Sequence, residues 1–344
     1  PDLKWEETSQ ANVAFDITFF NDLSLTTDFY VKKSTGILQD IDLPGHVGST
    51  GRPSANIADM ENKGVDLELS YRKKIGKVGF SVSGNISYLE NEVTNLGKDI
   101  QFISGDASFQ NMGAVTRTQV GQSYNSFYGY KTQGIFQNQA EINAYTNATG
   151  GLIQPNARPG DFRWQDLNGD GKISDDDKTF LGSPLPKYTY GFTVNLDYKN
   201  FDLLIFTQGA IGNKIFQGLR RLDITDANYQ TSALGRWTGE GSTNSYPILS
   251  TVDNNKNFSN PSDFYLEDGD YWRIKTIQIG YNLPSDVVAK AGLSKTRLYL
   301  TGENLLTFTK YSGYDPEIGG GVFGIDKGYY PQARTVMVGV NLQF

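Results

Sequence analysis

Apolar and polar residues alternate one by one through several long stretches of this chain. In KYTYGFTVNLDYK, Tyr188, Tyr190, Phe192, Val194, Leu196 and Tyr198 fall on one side, and Thr189, Gly191, Thr193, Asn195 and Asp197 on the other. Successive side chains of an extended strand point to opposite faces, so a period of two predicts a strand with one apolar and one polar face. The last segment, RTVMVGVNLQF, repeats the pattern with Val336, Val338, Val340, Leu342 and Phe344 against Met337, Gly339, Asn341 and Gln343. Further stripes are Val13, Phe15, Ile17 and Phe19; Val65, Leu67, Leu69 and Tyr71; Val78, Phe80, Val82, Ile86 and Tyr88; and Ile277, Ile279, Tyr281 and Leu283. Phe201, Leu203 and Ile205 form a shorter one, and Leu25, Phe29 and Val31, and Leu298 with Leu300, are weaker. A soluble sandwich alternates in the same way. Two features favour a membrane barrel instead: an aromatic residue closes each end of the 188–198 stripe, as in a lipid-facing band between interfacial girdles, and the opposite faces carry small polar residues such as Ser81, Ser83, Asn85 and Ser87 that suit a wet lumen.

The connections sharpen the expectation. Strands near 11–20 and 24–33 are joined by NDLS, those near 62–73 and 77–91 around KKIGK, those near 187–198 and 200–211 around YKN. The pair near 271–283 and 295–306 is joined by LPSDVVAKAGLSK, long enough for one helical turn. Between these hairpins lie long segments rich in Gly, Asn, Asp and Ser, at 34–61, 92–186, 212–270 and 307–332; SFYGYKTQGIF (126–136) falls inside one of them. Short turns alternating with long loops are the outer-membrane pattern, with turns in the periplasm and loops outside. The expected fold class is therefore all-β, made of antiparallel transmembrane barrel strands. About nine strands are legible. An odd set leaves its edge strands unpaired, so the chain is expected to be the C-terminal portion of a larger barrel.

Composition removes other classes. A net charge of -7 and a pI near 4.9 leave no basic surface for nucleic acid. With no cysteine and a single histidine, His46, thiolate chemistry, most zinc sites and most histidine-based catalysis are excluded. No apolar run reaches the roughly 20 residues of a membrane helix. A mean hydropathy of -0.43 is no obstacle to a barrel, whose strands are apolar only at alternate positions. Pro1, with no leader sequence after it, predicts a processed or trimmed N-terminus.

Five stretches together, PDLKWEETSQANVAFDITFF, NKGVDLELSYRKK, GDFRWQDLNGDGKISDDDKTFLGSPLPKYTYGF, DYWRIKTIQIGYNLP and GENLLTFTKYSGYDPEI, resemble the C-terminal half of SusC/RagA-type TonB-dependent transporters. The resemblance runs in order across essentially the whole chain. It implies a plugged barrel of about 22 strands in the outer membrane of a Gram-negative bacterium of the Bacteroidetes kind, with its loops extracellular. It also implies a SusD-like surface lipoprotein as lid, coupling to the TonB complex, import of oligosaccharides or peptides, and no enzymatic activity. Residues 1–344 would be the C-terminal part of that barrel, with the plug domain and N-terminal strands absent from this chain.

DLNGDGKISDDD is the best-defined candidate chemistry. Asp166, Asn168 and Asp170 occupy positions 1, 3 and 5 of a calcium-loop spacing, Gly171 allows the sharp turn, Lys172 would offer its carbonyl, Ser174 stands at position 9 and Asp177 at position 12. Calcium is the expected cofactor; the competing reading is an acidic turn whose Asp and Asn side chains cap their own backbone. No EF-hand helices flank the loop, so a staple for a long external loop is expected rather than a sensor. Trp164, Trp237, Tyr246, Tyr314, Tyr329 and Tyr330 are the candidates for substrate or partner binding, with Tyr229 and Phe323 in the same loops. Phe344 fits a C-terminal aromatic signal for barrel assembly. GGGVFG (319–324) has no strand-to-helix context for a phosphate loop, and no triad forms around His46. The alternative function is a calcium-stabilised extracellular β-rich protein that binds glycans or acts as an adhesin.

Overall fold

The computed structural model describes residues 3–40, 53–98, 100–105, 109–224, 226–318 and 324–344; His46, Phe323 and Gly319 to Gly321 lie outside them. Nine strands form one sheet: β1 (Glu7–Phe19), β2 (Leu23–Asp40), β3 (Ser54–Ile75), β4 (Val78–Leu96), β5 (Tyr188–Tyr198), β6 (Phe201–Ile211), β7 (Tyr271–Asn282), β8 (Lys295–Thr309) and β9 (Thr335–Gln343). Each pairs antiparallel with its sequence neighbours in chain order. β1 and β9 have one neighbour each among the described residues, so the sheet is an open part of a barrel wall.

Register converts the separate stripes into one surface. Directly opposed residues share a face, and Val194 opposes Val82 on β4 and Ile205 on β6. The row continues through Ile277, Gly302 and Val336 on β7, β8 and β9. At the other side of the sheet Ile17, Leu25 and Leu69 stand level. The apolar face therefore runs unbroken over nine strands, and its side chains are exposed: 54% for Phe15, 45% for Phe192, 81% for Val338. Aromatic pairs border it at both ends. Tyr71–Phe80 and Phe201–Tyr281 lie toward the short turns, Tyr88–Tyr188 and Trp272–Phe308 toward the long loops. Eight residues from Phe80 to Tyr88 make about 26 Å along a strand, or roughly 20 Å of height at a barrel tilt, close to the outer apolar band of such barrels.

The turns are tight where alternation placed them. Lys199 (φ 52°) with Asn200, and Gly76 (φ 61°) with Lys77, close two-residue hairpins, and Phe20 and Asn21 take left-handed conformations before β2. Helical turns at Ser285–Val288 and Ala289–Ala291 fill the β7–β8 connection, as its length predicted. One expectation needs correcting. Most of 34–61 is strand, because β2 runs to Asp40 and β3 starts at Ser54. Bulges between Ser34 and Leu38 break the alternation, which hid these residues, but the ladder continues, with Ile37 packed on Ala58, Val93 and Leu96, Lys33–Glu61 at 3.0 Å and Asn95 donating to Asp59 at 3.0 Å.

The other three long connections fold into one layer at the loop end of the sheet. Residues 126–136 stay outside the nine-stranded sheet, forming two short strands, Ser126–Gly129 and Thr132–Ile135. The first joins a four-stranded sheet with Ile103–Ser104, Thr116–Thr118 and Thr179–Gly182; the second pairs with Phe162–Trp164. A third small sheet takes Lys214–Gln217 and Leu266–Asp268 from the β6–β7 connection and Ile325–Asp326 from the β8–β9 connection. Phe109, Met112, Val115, Phe127, Phe216, Tyr265 and Ile325 form its core, and Tyr130, Ile135, Phe162 and Trp164 a second one. The loop layer thus holds its own buried apolar cores, which is what orders segments this long.

Candidate functional site

The acidic loop leaves Trp164, whose carbonyl accepts the Tyr145 hydroxyl at 2.8 Å, and ends in a 3-10 turn at Asp175–Asp177. The Asp166, Asp170 and Asp177 carboxylates converge, with one oxygen from each lying within 4.8 Å of the others. The backbone wraps them. Gly169 N–H and Gly171 N–H donate to Asp166 at 2.8 and 2.9 Å, Asp170 N–H to Asn168 at 2.9 Å, and Lys172 N–H to Asp170 at 3.1 Å. Asp177 is wholly buried and accepts from Leu167 (2.8 Å), Asn168 (3.4 Å) and Ser174 (2.7 Å) N–H groups. The Ser174 hydroxyl caps Asp176 N–H at 3.3 Å. Gly171 sits at φ 82°, and a Cβ there would meet Asn147 Cβ at 2.4 Å, so only glycine fits.

Of the nearby cations, Lys172 lies 3.7 Å from Asp170 of the cluster, and Lys178 lies 2.9 Å from Asp175, outside it, and holds Asp175 below the usual carboxylate range. Asp166 and Asp177 have no basic partner among the described residues. An all-oxygen set of three converging carboxylates suits a hard divalent cation. The capping bonds alone also satisfy much of the loop, as the acidic-turn reading requires.

The aromatic candidates separate into two groups. Trp164 is a correction: it is buried to 2% exposure, its indole N–H donates to the Asn255 carbonyl at 3.0 Å and its ring packs on Tyr130 and Phe162, so it offers no face to a ligand. Trp237 packs on the same core, with its indole N–H on Gln137 at 3.1 Å. The core that takes both rings is assembled from distant segments, with Tyr130, Ile135, Phe162 and Phe264. Tyr246, Tyr314 and Tyr229 line adjoining clefts in the loop layer, one of about 520 Å³ (Tyr229), one of about 680 Å³ (Tyr229 and Tyr314) and a smaller one of about 140 Å³ (Tyr246). Burial raises the Tyr246 hydroxyl above its ordinary value. Tyr314 and Tyr330 are 70% and 92% exposed, and Tyr329 is half-buried with its N–H on Asp326. Phe344 follows β9 with an exposed ring, and Ser294 N–H donates to the Gln343 carbonyl at 2.7 Å.

The polar face of the sheet holds charges that alternation alone did not single out. Arg273 on β7 is buried between Asp315 (2.5 Å) and Glu317 (2.7 Å) of the β8–β9 connection, and Lys275 joins Glu317 at 2.9 Å. This tethers the connection to the inner wall. Nearer the turns Arg297 pairs with Asp202 and donates to Gln278 at 2.7 Å. Arg273, Arg297, Asp202 and Gln278 stand at polar-face positions of their strands, the available signal for them.

No family model matches the chain. Curated proteins do. The chain is 32% identical over 363 residues to TonB-dependent receptor P3 of Formosa agariphila, covering 99% of this chain and 34% of that protein. It is 26% identical to TonB-dependent receptor SusC of Bacteroides thetaiotaomicron, covering 99% and 32%. Among solved structures it superposes on the RagAB peptide importer in its open-open state with a TM-score of 0.78 and 26% identity, covering all of this chain and 35% of that one. The chain thus spans about a third of the length of the relatives it matches. Their names are those of receptors and importers, not enzymes.

Proposed function

This chain belongs to the SusC/RagA-like family of TonB-dependent receptors, and from that premise we propose that residues 1–344 form the C-terminal part of the barrel wall, with its outer loops, of an outer-membrane importer. The rest of the barrel, the plug and the TonB-contacting segment come from sequence outside these residues. The observation that carries this reading is the apolar outer face, continuous across nine strands and bordered by aromatic pairs at both ends. A soluble glycan-binding or adhesin protein would have to leave that face in water, where contiguous apolar patches of this extent are rare.

In the importer the short turns face the periplasm and the folded loop layer faces outward, beneath a SusD-like lipoprotein. Tyr314, Tyr329 and Tyr330 are the aromatics available to that lid or to substrate, and Phe344 serves barrel assembly. Calcium held by Asp166, Asn168, Asp170, Asp177, the Lys172 carbonyl and Ser174 staples the connection between β4 and β5. The cargo is an oligosaccharide or a peptide; the relatives' names include a peptide importer. The test is uptake of labelled peptide and oligosaccharide mixtures by cells carrying the full-length gene, its deletion, or the intact gene without TonB. Import lost in both deletions is expected. Import that persists without TonB, or a full-length protein recovered in the soluble fraction, refutes the reading.

A further inference from the structure

Arg220 stands where the three loop clefts meet, and among the described residues it is unpaired. Its guanidinium lies over the Tyr229 ring at 4.0 Å and is 5.8 Å from that of Phe258. Its Nε is buried without a hydrogen-bond acceptor, and no described residue forms a hydrogen bond or an ion pair with the group. The neighbouring Arg221 differs: it is engaged by Asp223 at 2.7 and 2.5 Å. The carboxylates on the cleft walls are also spoken for. Asp253 accepts from the N–H groups of Asn257 (2.6 Å), Phe258 (3.2 Å) and Ser259 (3.2 Å) and from the Ser259 hydroxyl (3.1 Å). Glu267 accepts from Gln217 (2.8 Å), Ser312 N–H (2.7 Å) and the Ser312 hydroxyl (2.6 Å). Among the described residues Arg220 is therefore the charged group of this cleft left without a partner.

The two terminal amino groups of the guanidinium also have no acceptor among the described residues, and their natural complement is a planar oxyanion that takes two N–H groups at once. We propose that Arg220 binds the C-terminal carboxylate of a peptide substrate, an assignment that rests on the importer reading above. The walls favour a peptide over an acidic sugar. The pocket of about 520 Å³ beside Arg220 is lined by Leu222, Leu249 and Phe258, with Gln110 and Asn111 as amide partners. Sugar rings need an open aromatic platform, and in this pocket Arg220 itself lies over the Tyr229 ring, while the exposed Tyr314 lines the neighbouring cleft. A terminal carboxylate flanked by an apolar side chain and a backbone amide matches a free cation next to apolar surface and amide groups. At about 520 Å³ the space also falls within the usual range of ~300–1,000 Å³ for a small-molecule site.

The test is calorimetry on the full-length transporter in detergent, with Ala-Leu-Leu as the free acid, the same peptide amidated at its C-terminus, and trigalacturonate. The free acid is expected to bind about tenfold to a hundredfold more tightly than the amide, the scale of a charge-assisted hydrogen-bond pair. This comparison needs only the wild-type protein. Arg220→Gln is expected to abolish the acid-over-amide preference, and Arg220→Lys, which keeps the charge but not the planar fork, to retain part of it. Equal binding of acid and amide, no binding of either, or a preference unchanged in Arg220→Gln overturns the proposal. Arg220-dependent binding of trigalacturonate in place of the peptide overturns it too. Arg220-dependent peptide binding together with uptake that ignores loss of TonB would refute the importer reading while leaving this site standing.

Discussion

Replacing Phe192 with arginine puts a charge where lipid should be. Phe192 is 45% exposed on the apolar face of β5, in register with Gly84 and Thr207, four residues from Tyr188 and six from Tyr198. At about 3.3 Å per residue it lies roughly 13 and 20 Å along the strand from the two aromatic borders, within a few ångströms of mid-membrane. The lipid-facing fraction of a side chain of about 200 Å² is about 90 Å², and at ~25 cal/mol/Å² its loss costs about 2 kcal/mol. An arginine at the midplane of a barrel's lipid face costs a further ~2–4 kcal/mol. Phe192→Ala is thus expected to cost about 2 kcal/mol and Phe192→Arg about 4–6 kcal/mol. Three positions on, Asn195 points to the other face, and Asn195→Arg should cost under about 1 kcal/mol because that face is wet. The assay is urea titration of the full-length protein in phospholipid vesicles, with the folded fraction read from heat-dependent gel mobility. If Phe192→Arg is tolerated and Asn195→Arg is not, the faces are reversed and the reasoning fails. Equal small effects would mean that neither face meets lipid.

Three further outcomes are expected. Calcium at roughly twenty times a dissociation constant on the order of 0.5 mM should stabilise the loop layer by about 1.8 kcal/mol; chelation should open 166–177 to protease, and unchanged cleavage with and without calcium would leave only the acidic turn. Arg273→Met strands the buried Asp315 without its cation and leaves Glu317 to Lys275 alone, a loss on the scale of ~3–5 kcal/mol, so protease should nick 310–334 much faster than in wild type; equal rates would show that the tether does not hold the connection. Burial pushes the Asp161 carboxyl above its usual range. A raised folded value means that its contribution to stability is full below the ordinary carboxylate value and is lost as pH rises through the raised one. Asp161→Asn should therefore raise the melting temperature of the loop layer, read by tryptophan fluorescence, more at about pH 7 than at about pH 4, whereas an equal shift at both would refute the assignment.

The nine strands were legible because lipid on one side and water on the other impose a period of two on every strand between them. Phe192 and Thr193 declare their faces with no knowledge of their neighbours. The turns were legible for an equally local reason, since a two-residue hairpin such as Lys199–Asn200 admits few residues. The acidic loop was legible as a spacing, and the structure brings its carboxylates together through short-range bonds. Beyond the girdles this logic lapses. Bulges between Ser34 and Leu38 break the alternation in the extension of β2, and what holds it to β3 is non-local: Ile37 packs on Ala58, Val93 and Leu96, and Lys33 pairs with Glu61. The loop layer is assembled from segments far apart in the chain. Whether Trp164 is a core ring or a platform depends on Asn255, 91 residues away, and whether Arg220 is free depends on Asp253 and Glu267 having found other donors. Alternation is set residue by residue against solvent and lipid, and can be read along the chain; burial and pairing are set by what arrives from elsewhere, and only the tertiary structure decides them.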